Sequence, residues 1–280
     1  EARSRREAPF LDRKILTGWN GLAIRNLARG GVALERPDWV EAAARAARYL
    51  LDRHVAPDSP GTLSRYSLDG EPRGTAFLED YGALGLACLA LHEATLDPTW
   101  FQEARALAED IPQRFLDAGS GLLFDTPSGQ GDLVVRPRDP TDNAVPSGTS
   151  LAVELLLRMG RLLEREDWVE IAERTIAAEA PGMARFPAGF GRMLMNADIA
   201  RTPPETLVLS GDADTPEMTG LLEVAARNAH PRTTILAGGV ADVPESRDKP
   251  TLGGSPAAYV CRDFTCLAPV TRPEALAALL

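Results

Sequence analysis

Apolar positions recur at helical spacing through most of the chain, in two alternating textures. Residues 19–28, 81–91 and 148–163 are mostly apolar; the middle stretch carries no charged side chain, and the third carries Glu154, Arg158 and Arg161. A helix without a polar face has to be covered on all sides. Each stretch is followed by an amphipathic one. Trp39, Ala42, Ala43, Ala46 and Leu50 form one stripe; Trp100, Ala104, Leu107, Ala108 and Ile111 the second; Trp168, Ile171, Ala172 and Ile176 the third. The amphipathic segments begin alike, at Asp38-Trp39-Val40-Glu41, Thr99-Trp100-Phe101-Gln102 and Asp167-Trp168-Val169-Glu170. That spacing predicts a capping box at each start. Three helical hairpins follow, with buried helices inside and amphipathic ones outside. This is the repeating unit of a mainly α fold, an α/α barrel (toroid), although a flat α-solenoid would give the same pattern.

Turns from buried to amphipathic helix are short, as at residues 93–99, and the returns are long, at 54–79 and 116–147. The returns contain strand-like pieces at 62–66, 121–125 and 133–135. Long ordered loops in a compact domain are usually functional, so a pocket is expected where the buried helices start. From about residue 203 the texture changes to strand 206–210, helix 216–229, strands 233–237 and 257–260, and a final helix 273–280. The expected organisation is residues 1–202 as three hairpins of a partial barrel and 203–280 as a small α/β region.

Composition narrows the function classes. With 44% hydrophobic and 25% charged residues, the 280-residue chain is ordinary globular material. No apolar stretch is long enough to span a bilayer. Forty acidic against thirty basic residues give a net charge of −10, which argues against a nucleic-acid surface. Three cysteines are too few for a disulfide scaffold. The chain opens at Glu1 with no signal-like segment, and the expectation is a cytoplasmic protein or a piece of a longer one.

The chemistry-bearing residues gather at the heads of the buried helices. Trp19 and Tyr81 offer aromatic faces, Asn20 and Asn143 amides, Ser147 a hydroxyl, and Glu79, Asp80 and Asp142 carboxyls. Aromatic rings beside hydrogen-bonding groups suit a sugar, and glycoside hydrolysis needs two carboxyl groups. Asp80, Asp142 and Glu79 are the expected catalytic residues; Trp19, Asn20, Tyr81, Asn143 and Ser147 are the expected substrate contacts. The competing interpretation is structural: acidic residues at a helix start cap amides and complement the helix dipole. A helix N-terminus also lowers a carboxyl pKa, which suits a base or nucleophile better than an acid.

His54, His92 and His230 read as surface or core filler, and Cys88 as a buried, inert thiol. Cys261 and Cys266, four residues apart in between, make a poor zinc site and are expected either to pack or to exchange thiols. Gly211-Asp212-Ala213-Asp214, after a strand, reads as a polar turn, with a cation or phosphate site as the alternative. No metal or cofactor is expected.

Five ordered motifs carry a family resemblance: residues 11–21 (LDRKILTGWNG), 77–81 (FLEDY), 133–137 (LVVRP), 142–148 (DNAVPSG) and 259–270 (YVCRDFTCLAPV). Together they resemble the thioredoxin-domain-containing family that includes spermatogenesis-associated protein twenty. The resemblance implies an N-terminal thioredoxin-like domain followed by an (α/α)6 barrel similar to six-hairpin glycosidases and N-acylglucosamine 2-epimerases, of which this chain is the C-terminal portion with half the barrel. It implies a carbohydrate-active or carbohydrate-binding protein with a small-molecule sugar as partner. The alternatives are a non-catalytic helical scaffold serving the thioredoxin-like domain, and an epimerase-like isomerase. Related epimerases use histidines for proton transfer, and no histidine here lies in a matching motif.

Overall fold

The computed structural model describes residues 6–7, 10–56, 62–130, 133–228, 230–263 and 265–280. Six helices form three successive hairpins: α1 (Thr17–Ala33) with α2 (Pro37–His54), α3 (Leu78–Thr95) with α4 (Pro98–Phe115), and α5 (Gly148–Leu162) with α6 (Glu166–Arg185). α1, α3 and α5 pack side by side, with the second helix of each pair outside them. The fold is a mainly helical α/α toroid arrangement with a small sheet region. Among the described residues no helix is long and apolar enough to cross a membrane.

Glycines set the spacing of the inner layer. A Cβ on Gly21 would come within 2.8 Å of the Ala83 backbone, and one on Gly82 within 2.8 Å of Ala152 N. The backbones of α1, α3 and α5 touch where a larger residue would hold them apart. α3 is buried on every side. α5 is buried too, although it carries charges: Glu154 accepts from Arg25 at 2.6 and 3.0 Å and from Arg158 Nε at 3.0 Å, and also pairs with Arg192. α1 departs from the expected pattern. Trp19, Ala23 and Asn26 are exposed along one flank, so α1 stands at the edge of the inner layer with one side wet.

The three hairpin joints are alike, but not through capping boxes. The outer helices begin two residues earlier than that signature predicts. Pro37 and Pro98 occupy first-turn positions that need no N–H donor. Asp38 and Asp167 bind the guanidinium of Arg36 and Arg165 instead of capping, and each arginine lies over the following tryptophan, at 4.8 Å for Trp39 and 4.4 Å for Trp168. The middle joint is capped by Asp97, which accepts the Thr99 amide at 2.9 Å. A left-handed residue precedes each N-cap: Glu35, Leu96 and Glu164, with φ of 54°, 58° and 53°.

The return after α2 supplies β2 (Ser64–Leu68) and β3 (Glu71–Thr75), which form an antiparallel sheet with β1 (Ile15–Leu16), the short strand before α1. The second return makes no strand at 121–125, only an isolated bridge of Leu123 to Leu116, and residues 133–135 are irregular. Arginines replace strand pairing there: Arg136 donates to Thr126 O at 2.6 Å and Arg138 to Leu123 O at 3.2 Å. The sequence pattern also missed α7 (Gly191–Arg201), a short helix with no clear apolar periodicity that packs on α5 and α6.

The α/β region comprises β4 (Glu205–Ser210), α8 (Pro216–Asn228), β5 (Thr234–Ala237), β6 (Ala257–Arg262), β7 (Thr265–Cys266) and α9 (Pro273–Ala277). Ala229, placed in the helix by the sequence pattern, lies outside the described residues. The sheet order is β5-β4-β6-β7, with β4 parallel to β5 and antiparallel to β6. Its strands alternate as two-sided strands should. Val208, Leu236, Tyr259 and Cys261 join the helical core, while Leu207, Leu209, Ile235, Ala258 and Val260 form a second core with α8 and α9. His92 ties the two regions together. It is fully buried; Nδ1 donates to Asp97 O at 2.9 Å and Nε2 accepts the Ala237 amide at 3.2 Å.

Burial pushes the pKa of His92, and that of His54, below the ordinary histidine value. The unfolded chain therefore takes up protons first on acidification. The stability tied to the neutral rings is complete above about pH 6.5 and is lost as pH falls toward the folded-state values. Thermal unfolding is expected to show Tm falling over that window, with a shallower slope in His92→Gln. Gly82→Ala is expected to lower stability in urea titrations by about 1–2 kcal/mol, because overpacking outweighs the gain of about 1 kcal/mol in helix propensity.

Candidate functional site

The heads of the three inner helices meet. A Cβ on Gly18 would lie 3.0 Å from Asp80 Oδ1, and one on Gly148 would lie 2.8 Å from Glu79 N. Asp80 is the joint. With no solvent exposure, it accepts Gly18 N–H at 2.8 Å from α1, Phe77 N–H at 2.8 Å across the first turn of α3, and Arg65 Nη1 at 2.8 Å on both oxygens from β2. Burial pushes its carboxyl up, against the pull of the Arg65 charge and the Phe77 amide. This corrects the expectation that the helix start would lower it. Every contact is a donor, so the carboxyl is consumed as an acceptor and presents no free oxygen to a substrate.

Asp142 is likewise engaged. Its Oδ1 accepts the Ser147 amide at 3.0 Å and the Ser150 hydroxyl at 3.3 Å, and its Oδ2 accepts the Arg192 amide at 2.7 Å, fastening the head of α5 to the first turn of α7. Tyr81 departs furthest from its expected role. It is 2% exposed, packs edge-on against Phe115, and its hydroxyl accepts Leu63 N–H at 3.0 Å. It offers no ring face for stacking. Asn20 donates to Leu16 O at 2.8 Å, while Trp19 is 60% exposed on the wet flank of α1.

The remaining expected residues share a cleft. Glu79, Asn143, Ser147 and Gly148 line a cavity of about 390 Å³ together with Arg65, Phe77, Asp125, Thr126 and Asp139. Ser147 is the N-cap of α5, its hydroxyl accepting Ser150 N–H at 3.1 Å. Glu79 is held by the same Arg65 that binds Asp80. Asp125 accepts the Asp139 amide at 2.8 Å, and its backbone joins Leu78 at the head of α3 to Pro137. Burial pushes the Asp125 carboxyl up; the Asp139 amide draws it back, and the charges of Asp139 and Glu79 add to the rise. Sequence reasoning missed Arg65, Asp125 and Asp139, although Asp125 ends one of the pieces it singled out in the second return. Cys261 and Cys266 lie far along the chain from these residues, paired across β6 and β7 and joined by a disulfide. Among the described residues no group of three His, Cys, Asp or Glu side chains could hold a metal ion.

No known protein-family model matches the chain. Its sequence is similar to spermatogenesis-associated protein 20 of Homo sapiens, at 29% identity over 297 residues, covering 100% of this chain and 38% of that protein. The mouse protein of the same name matches at 29% identity over 296 residues. The chain thus spans well under half the length of the curated relatives it matches. Among solved structures, the GH76 α-mannanase BT2949 of Bacteroides thetaiotaomicron superposes with a TM-score of 0.52 at 13% identity, over 79% of this chain and 58% of that one. At that identity the likeness is one of fold.

Asp80→Ala is expected to cost about 3 kcal/mol of stability in urea unfolding, because it leaves the Gly18 and Phe77 amides without their acceptor and Arg65 with Glu79 alone.

Proposed function

We propose that the chain is a carbohydrate-binding, glycosidase-like module whose site is the cleft at the inner-helix heads. The observation that carries this reading is the pairing, in one cleft, of a carboxyl pushed up by burial, Asp125, with a carboxylate held by an arginine, Glu79. Glycoside hydrolysis needs two carboxyl groups, and burial that favours the protonated form of Asp125 suits it to the acid's part. In this reading Asp125 donates its proton to the glycosidic oxygen as the bond to the anomeric carbon breaks. Glu79 serves as the carboxylate partner, either activating water or attacking the sugar. Asn143 supplies hydrogen bonds to hydroxyls, Ser147, whose hydroxyl is spent on Ser150, caps the helix behind it, and Phe77, 37% exposed, supplies an apolar edge. Asp80 and Asp142 position these groups without touching substrate. The α-mannanase named above makes α-linked mannosides the first ligands to try.

A second reading is favoured by the full engagement of Asp80 and Asp142. In it, the helical body is a non-catalytic scaffold in a longer protein, supporting the thioredoxin-like domain that the family resemblance implies. Calorimetric titration and turnover assays with α- and β-linked oligosaccharides separate the two. The glycosidase-like reading expects saturable binding by the wild type, with Asp125→Asn and Glu79→Gln each lowering turnover about 10²-fold or more while binding persists. Absence of saturable sugar binding by the wild type would leave the scaffold.

A further inference from the structure

A second cleft, remote from the helix heads, lies in the α/β region at the carboxyl ends of the parallel strands β4 and β5. It is an open depression of about 590 Å³, lined by Ser210 and Gly211 from the end of β4, Gly238 and Gly239 from the end of β5, and Lys249 and Thr251 from the segment before β6. In open parallel sheets ligands bind beyond the carboxyl ends of the strands, at a topological switch point; here the sheet is mixed, β4 lying between parallel β5 and antiparallel β6. Two features of this crevice point to a ligand.

The first is Ser210. It is 5% exposed, and its hydroxyl has no hydrogen-bond partner among the described residues. Leaving a buried hydroxyl unpaired is costly, so such a group marks a place where a partner belongs. The hydroxyl stands over Gly238, close enough that a Cβ there would collide with it, and Gly238 therefore keeps the strand end clear beside it. Gly211 and Gly239 have φ of 141° and 76°, and nothing lies within 4 Å of where a Cβ on Gly239 would stand.

The second is Lys249, one of only two lysines in the chain. Its ammonium lies 5.6 Å from the centre of the Tyr259 ring, and the Tyr259 hydroxyl donates to Pro250 O at 2.6 Å. Its segment is thereby fastened to β6 while the lysine lines the cleft. Asp248 also lines the cleft, but it is solvent-exposed. The acidic turn after β4 does not line it: the Asp212 carboxylate is folded back on its own loop and accepts the Asp214 amide at 3.0 Å, while the Asp212 carbonyl accepts the Thr215 hydroxyl at 2.9 Å.

The Gly238 and Gly239 amides are spent on Leu209 O and Ser246 O, so the donors left to the cleft are the Ser210 hydroxyl and the Lys249 ammonium, a pair complementary to an oxyanion. We propose that this cleft binds the oxyanion group of a small metabolite, a phosphate monoester or a carboxylate, with Ser210 and Lys249 as its donors.

The test is a titration of the 280-residue protein, isotopically labelled, followed through its glycine amide signals by NMR. Inorganic phosphate and methyl phosphate form one arm, acetate the other, at constant ionic strength. Saturable shifts of the Gly211, Gly238 and Gly239 amides are expected in at least one arm, and the stronger arm identifies the class of oxyanion. Ser210→Ala and Lys249→Met, each with the remaining spectrum intact, are expected to weaken binding about tenfold or more. Glycine amides silent to all three anions would overturn the proposal, as would shifts of equal affinity in both variants.

Discussion

Asp80 takes a carboxyl group to a place without solvent contact, where donors from three separate pieces of chain converge on it. The first turn of α3, the start of α1 and strand β2 are held in register by these bonds. The same Arg65 that closes the set also reaches Glu79, which lines the cleft. One guanidinium thus serves a sequestered carboxyl and a half-buried one. Charged groups are rarely buried unless every lone pair is satisfied, and here both oxygens are.

α5 meets the same demand differently. Its three charged side chains look, along the sequence, like a polar face too small to be one. In the fold, Glu154 is buried among Arg25, Arg158 and Arg192, so its charge links α1, α5 and α7, while Arg158 donates onward to Pro231 O ahead of β5. Burial pushes Arg158 below its ordinary pKa, and the Glu154 carboxylate opposes the shift. The apparent flaw in the third inner helix is therefore its fastening to its neighbours.

Periodicity made the three hairpins legible because inner and outer helices obey different burial rules: α3 has no wet face, whereas α2, α4 and α6 do. Strands β4, β5 and β6 were legible for the same reason. The helix starts were misjudged because Asp38 and Asp167 have a competing arginine two residues upstream, and a two-toothed guanidinium contact takes the oxygens that would otherwise cap. The cleft was legible only in part. Glu79, Asn143 and Ser147 sit at helix starts that the pattern locates, whereas Asp125 and Asp139 are placed by a return held through arginine-to-carbonyl bonds, which carry no periodic signal. Tyr81 misled because residue type does not reveal which way a ring at a helix head turns.

The most visible change along the sequence, from helices to α/β texture near residues 201–205, is not a gap in the packing. One face of the sheet supplies Val208, Leu236, Tyr259 and Cys261 to the helical core, and His92 is bonded to the strand that follows α8. Severing the chain at that seam would strip the far end of α3 of its cover and expose an imidazole and an apolar wall together. Where the texture of a polypeptide turns over, the material beneath can still be a single cast.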